Sequence, residues 1–185
     1  MVAHTRLYTA DEFLGLSDDS KIYELHNGVI IEVAGSKYVQ TVLAAWIGYL
    51  LIRFVEESKI GGVVSGADGT YVLDRYNTRI PDVAYITEES ARRQKRGEYL
   101  KGAPDLAIEV ISESNTPTEM KQRVGAYLNA GASLVWLVYP ETRLIEVYQD
   151  DEDTLILKQG DTLHDDEILP GLRISVREIF ARLDR

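Results

Sequence analysis

The chain has 185 residues, 45% hydrophobic and 27% charged, which suits a single domain (1–185) with a core large enough to need no covalent staple. It has no cysteine, which excludes disulfides, cysteine-ligated zinc and a cysteine nucleophile, and its three scattered histidines argue against a histidine-rich metal site. A formal net charge of −10 argues against extended nonspecific wrapping of nucleic acid but leaves room for a small basic patch beside an acidic metal site.

Thr9 followed by Glu12 reads as a capping box opening a short helix, Ala10–Leu16. The run Tyr23 to Val33 reads as a hairpin turning at Asn27-Gly28, because that dipeptide takes the left-handed backbone a tight hairpin needs. Ser36–Ser58 is the longest helical pattern, with Val39, Val42, Leu43, Trp46, Ile47, Leu50 and Leu51 at three- and four-residue spacing, and Gly61-Gly62 ends it. Its apolar stretch, Val42–Val55, is broken by Gly48 and Arg53 and reads as too short to span a bilayer. With no apolar run of signal-peptide length at the start, the expectation is a cytoplasmic protein that does not enter the membrane.

Val63-Val64, Thr70–Leu73, Arg79–Ile86 and Asp105–Ser112 read as strands. Pro117 opens a helix to Ala130, and Ser133–Tyr139 is a continuous apolar strand. The nearly all-apolar strands around Ile108 and Trp136 are what strands covered on both faces look like, and a helical crossover between them makes them parallel. Leu144–Tyr148 and Thr154–Leu157 form a further pair, and a last strand and the helix Val176–Leu183 follow Pro170-Gly171. These elements predict an α/β fold, a mixed sheet with helices on both faces. The acidic runs Asp150–Asp153 and Asp165–Glu167 read as solvated turns.

Two acids sit where acids are costly. Asp82 lies in Ile80-Pro81-Asp82-Val83-Ala84 and Glu109 in Ala107-Ile108-Glu109-Val110-Ile111. Alternation puts Asp82 on a face with Ile80 and Ala84, and Glu109 on a face with Ala107 and Ile111. If those faces coincide, the carboxylates converge into the oxygen ligand set of a hard cation such as Mg²⁺. The structural alternative is a helix-capping Asp82 and a Glu109 ion-paired to an arginine. Glu24, between Tyr23 and Leu25, is a third acid that could complete the site or bond a neighbouring helix. Ala91–Arg96 is the one dense basic cluster, a solvated helix face or a phosphate contact; Tyr85 and Tyr99 are candidates for base stacking.

The ordered set of Thr9–Phe13, Tyr23-Glu24-Leu25 with Asn27-Gly28, Arg79-Ile80-Pro81-Asp82-Val83, Ala103–Ser112, Tyr127 with Gly131, Val135–Val138 before Pro140, and Leu169–Leu172 before Ile179-Phe180 resembles the Uma family. That bacterial family, formerly a domain of unknown function, is classed with restriction endonucleases in the PD-(D/E)xK nuclease superfamily. The resemblance implies a restriction-endonuclease-like fold and a Mg²⁺-dependent (or Mn²⁺-dependent) endonuclease acting on DNA. It implies that Asp82 and Glu109 bind the metal, with the Val110 carbonyl as a further ligand, and that Glu24 orients metal or water.

The superfamily's lysine, two residues after the glutamate, is replaced by Ile111 here. The cation then falls on the following helix, where Lys121 and Arg123 flank the stripe of Met120, Val124, Tyr127 and Leu128 on opposite sides. Periodicity does not choose between them; the family pattern favours Arg123, an arginine in place of a lysine. Val39 stands where the pattern has a histidine. These departures make a non-cutting member that binds nucleic acid or a protein the alternative reading. Cleavage of two strands favours a homodimer, since a closed two-fold is the commonest homomeric symmetry.

Overall fold

The structure is a computed structural model and describes residues 6–16, 21–149 and 154–184. In chain order these form α1 (Ala10–Leu14), β1 (Ile22–His26), β2 (Val29–Val33), α2 (Tyr38–Ser58), β3 (Val63–Ser65), β4 (Tyr71–Asp74), β5 (Asn77–Arg79), β6 (Val83–Ile86) and α3 (Glu88–Arg92). Then come β7 (Leu100–Lys101), β8 (Leu106–Val110), α4 (Pro117–Asn129), β9 (Leu134–Tyr139), β10 (Leu144–Gln149), β11 (Leu155–Leu157), β12 (Thr162–Asp165), β13 (Leu172–Ser175) and α5 (Val176–Phe180), closed by a 3-10 turn, Ala181–Asp184.

The central sheet has six strands in the order β11-β10-β9-β8-β6-β3. Only β8 and β9 run parallel, joined by α4 as the crossover helix requires. The strand β8 alternates cleanly. Leu106, Ile108 and Val110 join a core with Leu43, Ile47, Leu50 and Leu51 of α2 and with α5. Ala107 and Ile111 join a second core with Met120, Val124 and Tyr127 of α4. The predicted α/β fold, a mixed sheet with helices on both faces, is therefore what forms.

The long apolar run is more continuous than Gly48 and Arg53 suggest. Helix α2 has 21 residues and, by length and composition, could cross a bilayer. Its apolar face covers the sheet, while Trp46 Nε1 donates to the Glu178 carbonyl at 2.9 Å and Arg53 pairs with Glu178. It serves as a core helix.

The expected strand Arg79–Ile86 is in fact two. Residues 77–79 pair with β4 in a separate three-stranded sheet, and Val83–Ile86 belongs to the central one. The break falls at Ile80–Asp82 because Pro81 has no N–H to give to a ladder. The hairpin β1–β2 turns at Asn27 (φ 49°) and Gly28 (φ 79°), the left-handed pair its sequence predicts. It is fastened to β5, with Leu25 N donating to Thr78 Oγ1 and Arg79 Nη1 to the Leu25 carbonyl.

The acidic turn at Asp165–Glu167 is not simply solvated. Asp165 is buried and its Oδ1 accepts from the Ile168 and Leu169 amides, while Asp166 pairs with Arg173. The other acidic run, Asp150–Asp153, lies outside the described residues.

Candidate active site

The antiparallel register Val83↔Ile108 brings the start of β6 beside the end of β8. Asp82, just before β6, takes the next place in the ladder with its side chain. Its Oδ2 accepts from the Val110 amide at 2.7 Å. Asp82 thus caps a strand end rather than a helix. Asp82, Glu109 and Val110 line one cavity of about 220 Å³, together with Arg123 and Gln40. In an extended strand a residue's N–H and C=O leave on the same edge, so the Val110 carbonyl lies on the Asp82 side.

Glu109 points toward α4. Its Oε1 accepts from Tyr127 Oη at 2.7 Å and from Arg123 Nη1 at 2.9 Å. The arginine pairing of the structural alternative is therefore present. Yet among the described residues Glu109 Oε2 and Asp82 Oδ1 accept no hydrogen bond, which leaves each acid one free oxygen.

Glu24 bonds a neighbouring helix, one of the two places its sequence offers. Both its oxygens are taken. Oε1 accepts from the Ile80 amide at 2.8 Å and Arg123 Nη1 at 3.0 Å, and Oε2 accepts from Arg123 Nη2 at 2.8 Å. A guanidinium fork and a backbone amide outcompete other donors here because all three groups are largely withdrawn from water. Among the described residues no three acids or histidines are grouped to hold a metal; the open oxygens are those of Asp82 and Glu109.

Of the two candidate cations, the structure brings only Arg123 to the carboxylates. Lys121 is exposed on the helix surface and lines neither this cavity nor its neighbour of about 290 Å³, which Glu24, His26, Arg79 and Arg123 line. Ile111 is buried in the α4-side core and offers no charge.

The electrostatics are those of crowded, dry charge. Burial, reinforced by the Asp82 and Glu24 charges, pushes Glu109 up to about 7 against the pull of Arg123. Burial also raises Asp82, opposed by the Val110 amide. Burial works against the Arg123 charge, but Glu109 and Glu24 more than offset it and hold its pKa well above the ordinary value. Burial lowers His26, helped by Arg79 and Arg123. Three carboxylates (Glu24, Asp82, Glu109) against two guanidiniums (Arg79, Arg123) leave one formal negative charge uncompensated.

Comparison with known proteins follows the same line. The sequence profile of the family Uma2, described as "Putative restriction endonuclease", matches residues 10–177. The chain belongs to the Uma2 family. A crystal structure from Anabaena variabilis ATCC 29413, titled "a putative nuclease belonging to DUF820", superposes with a TM-score of 0.80. It is 20% identical, with 95% of this chain and 98% of that one covered, a likeness that shows a shared fold. No curated protein matches the sequence.

Other candidates for this Uma2 chain's site fall elsewhere. In the basic cluster, Arg92 pairs with Glu88, Arg93 with Glu89 and Lys95 with Glu98, so most of its charge is answered within the protein. Tyr85 is a core residue whose hydroxyl donates to the Gly61 carbonyl, and Tyr99 is exposed away from the carboxylates. Val39 is half-buried on α2. Sequence reasoning missed Arg79 and the Tyr127 hydroxyl as partners of the acids. The signal for Arg79 was a charged residue directly before Ile80-Pro81 in a run destined for burial; Tyr127 looked like an ordinary member of an apolar stripe.

Proposed function

We propose that this Uma2 protein is a metal-dependent endonuclease that hydrolyses phosphodiester bonds in DNA. One observation carries the reading: Asp82 and Glu109 line one cavity, each with an oxygen that nothing among the described residues uses, beside the half-buried Arg123 guanidinium. The donor set fits a hard divalent cation, being two carboxylates and a strand-end carbonyl at Val110, with one negative charge in excess. Bound there, Mg²⁺ or Mn²⁺ would supply Lewis acidity toward a phosphate and a water molecule.

The protein's own groups do the rest. Val110 N–H holds Asp82 through Oδ2, leaving Oδ1 without a partner among the described residues. Tyr127 and Arg123 fix Glu109 through Oε1 and leave Oε2. Glu24 holds the Arg123 fork in place while tying down the Ile80 amide two residues before Asp82. Arg123 offers permanent charge to a phosphate but cannot take a proton from water, so base catalysis is not its role. Double-strand cleavage would use a two-fold pair; light scattering that finds only a 20.8 kDa species would remove that part of the proposal.

A second reading is favoured by the same Arg123. Its bonds to Glu109 and Glu24, with Ile111 in the lysine position, suit a protein that binds nucleic acid or a protein partner without cutting. Plasmid and single-stranded DNA cleavage with added Mg²⁺ or Mn²⁺, on wild type beside Asp82→Ala, separates the two. The nuclease reading expects metal-dependent cleavage that falls more than ~100-fold in the variant. Wild type inert under all conditions, yet binding DNA, would establish the second reading instead.

A further inference from the structure

Gln40 is the third residue of α2 and is 9% exposed. Its Nε2 donates to the Ile111 carbonyl at 3.4 Å. Its Oε1 accepts nothing, the sole buried side-chain oxygen or nitrogen among the described residues without a partner. The amide cannot relieve this by turning over. Turned by 180°, the oxygen would face the Ile111 carbonyl, acceptor against acceptor, and the amino group would lose its partner. A buried, unanswered carbonyl in an otherwise well-satisfied protein calls for a ligand.

Gln40 lines the cavity of Asp82, Glu109 and Val110. The acids that share the cavity offer only oxygens, Asp82 Oδ1 and Glu109 Oε2, so a partner that answers them together with Gln40 must be positive or bring hydrogens of its own. We propose that Gln40 Oε1 is a further ligand of the divalent cation, resting on the reading that Asp82 and Glu109 hold one there. A neutral carboxamide oxygen is an ordinary donor to hard cations. It would add a ligand from α2 to those from the β6 and β8 ends without adding a further negative charge to the site.

The test is calorimetric titration of Mn²⁺ into the metal-free full chain, for wild type, Gln40→Met, Gln40→Glu and Asp82→Asn, beside their melting temperatures without metal. Gln40→Met should bind Mn²⁺ ~10-fold or more weakly. Its metal-free melting temperature should hold or rise, since an unanswered amide gives way to an apolar side chain of similar size. Gln40→Glu should bind at least as tightly as wild type. Gln40→Met binding like wild type while Asp82→Asn does not would overturn the role of Gln40 and leave the carboxylate site standing. Wild type that does not bind Mn²⁺, or Asp82→Asn that binds like wild type, would overturn both. Should Gln40→Met fail to fold, Gln40→Glu decides, and weaker binding there overturns the proposal.

Discussion

Strand β8 separates two unlike regions. Toward α2 it sends Leu106, Ile108 and Val110 into a core with Leu43, Ile47, Leu50 and Leu51. Toward α4 it sends Ala107 and Ile111, with Glu109 between them, and the residues that meet Glu109 are an arginine and a tyrosine hydroxyl. The first region takes its buried members from α2, the central sheet and α5. The second interrupts an equally buried core with Glu24, Arg79, Glu109 and Arg123. Buried ion pairs seldom repay their desolvation better than apolar packing would. The charge on the α4 side is thus explained by chemistry more readily than by stability.

Substitutions can break that contrast. Arg123→Ala should abolish any cleavage and also destabilise the fold by about 3–5 kcal/mol, since Glu109 loses its paired cation and Glu24 keeps only Arg79, 4.0 Å away. Arg123→Lys should retain cleavage or increase it. On the apolar side, Ile108→Ala should cost about 2–5 kcal/mol by leaving a cavity. Chemical denaturation would show the two losses to be similar in size. Titration of Mg²⁺ during thermal unfolding would show them to differ in kind, with the metal response kept in Ile108→Ala. In wild type, metal at 100 times its dissociation constant should add about 2.7 kcal/mol, and Glu109→Gln should lose most of that.

A pH series sharpens the comparison further. Glu109 is raised to about 7 in the folded protein from its ordinary 4.5. Between those values the folded protein keeps a proton that the unfolded chain has lost. The contribution of Glu109 to stability is therefore fully present below pH 4.5 and is lost as pH rises toward 7. In metal-free buffer the melting temperature of wild type should fall from pH 5 to 7 relative to that of Glu109→Gln; parallel curves would remove Glu109 as the group responsible. Burial raises Asp82 as well, so its contribution has the same sign. The smallest effect belongs to Lys121→Ala, which should change stability by no more than about 0.5 kcal/mol and leave cleavage intact.

Local chemistry made much of this legible in advance. Asn27-Gly28 specified its hairpin, Thr9 and Glu12 their cap, and the crossover through Pro117 the parallel pair β8–β9. Two acids in apolar runs marked the cavity. What local patterns do not carry is partnership at a distance. Periodicity set Lys121 and Arg123 equally beside their stripe, and only the docking of α4 on the sheet chose between them. The sequence left Glu24 between the site and a neighbouring helix, and did not single out Arg123 or the Ile80 amide as its partners. The break at Pro81 was readable from its missing N–H, but alternation through Val83 and Ala84 concealed it. Nothing in its neighbours along the chain marks Gln40, because an unanswered carbonyl shows only when its surroundings are assembled.

The ion pair of Arg123 with Glu24 joins positions 99 apart in the chain. Closing so long a loop costs entropy before the contact returns anything, so contacts of this kind form late in folding. Hairpin β1–β2, the crossing at Pro81, the end of β8 and helix α4 must all be docked before the cluster exists. A half-made or half-folded chain would then hold none of the assembled oxygens and would have little appetite for a divalent ion. The Ile80 amide, held by Glu24, supplies a built-in reporter of that moment: its protection from hydrogen exchange should appear together with the capacity to bind metal, and later than that of α2 or α4.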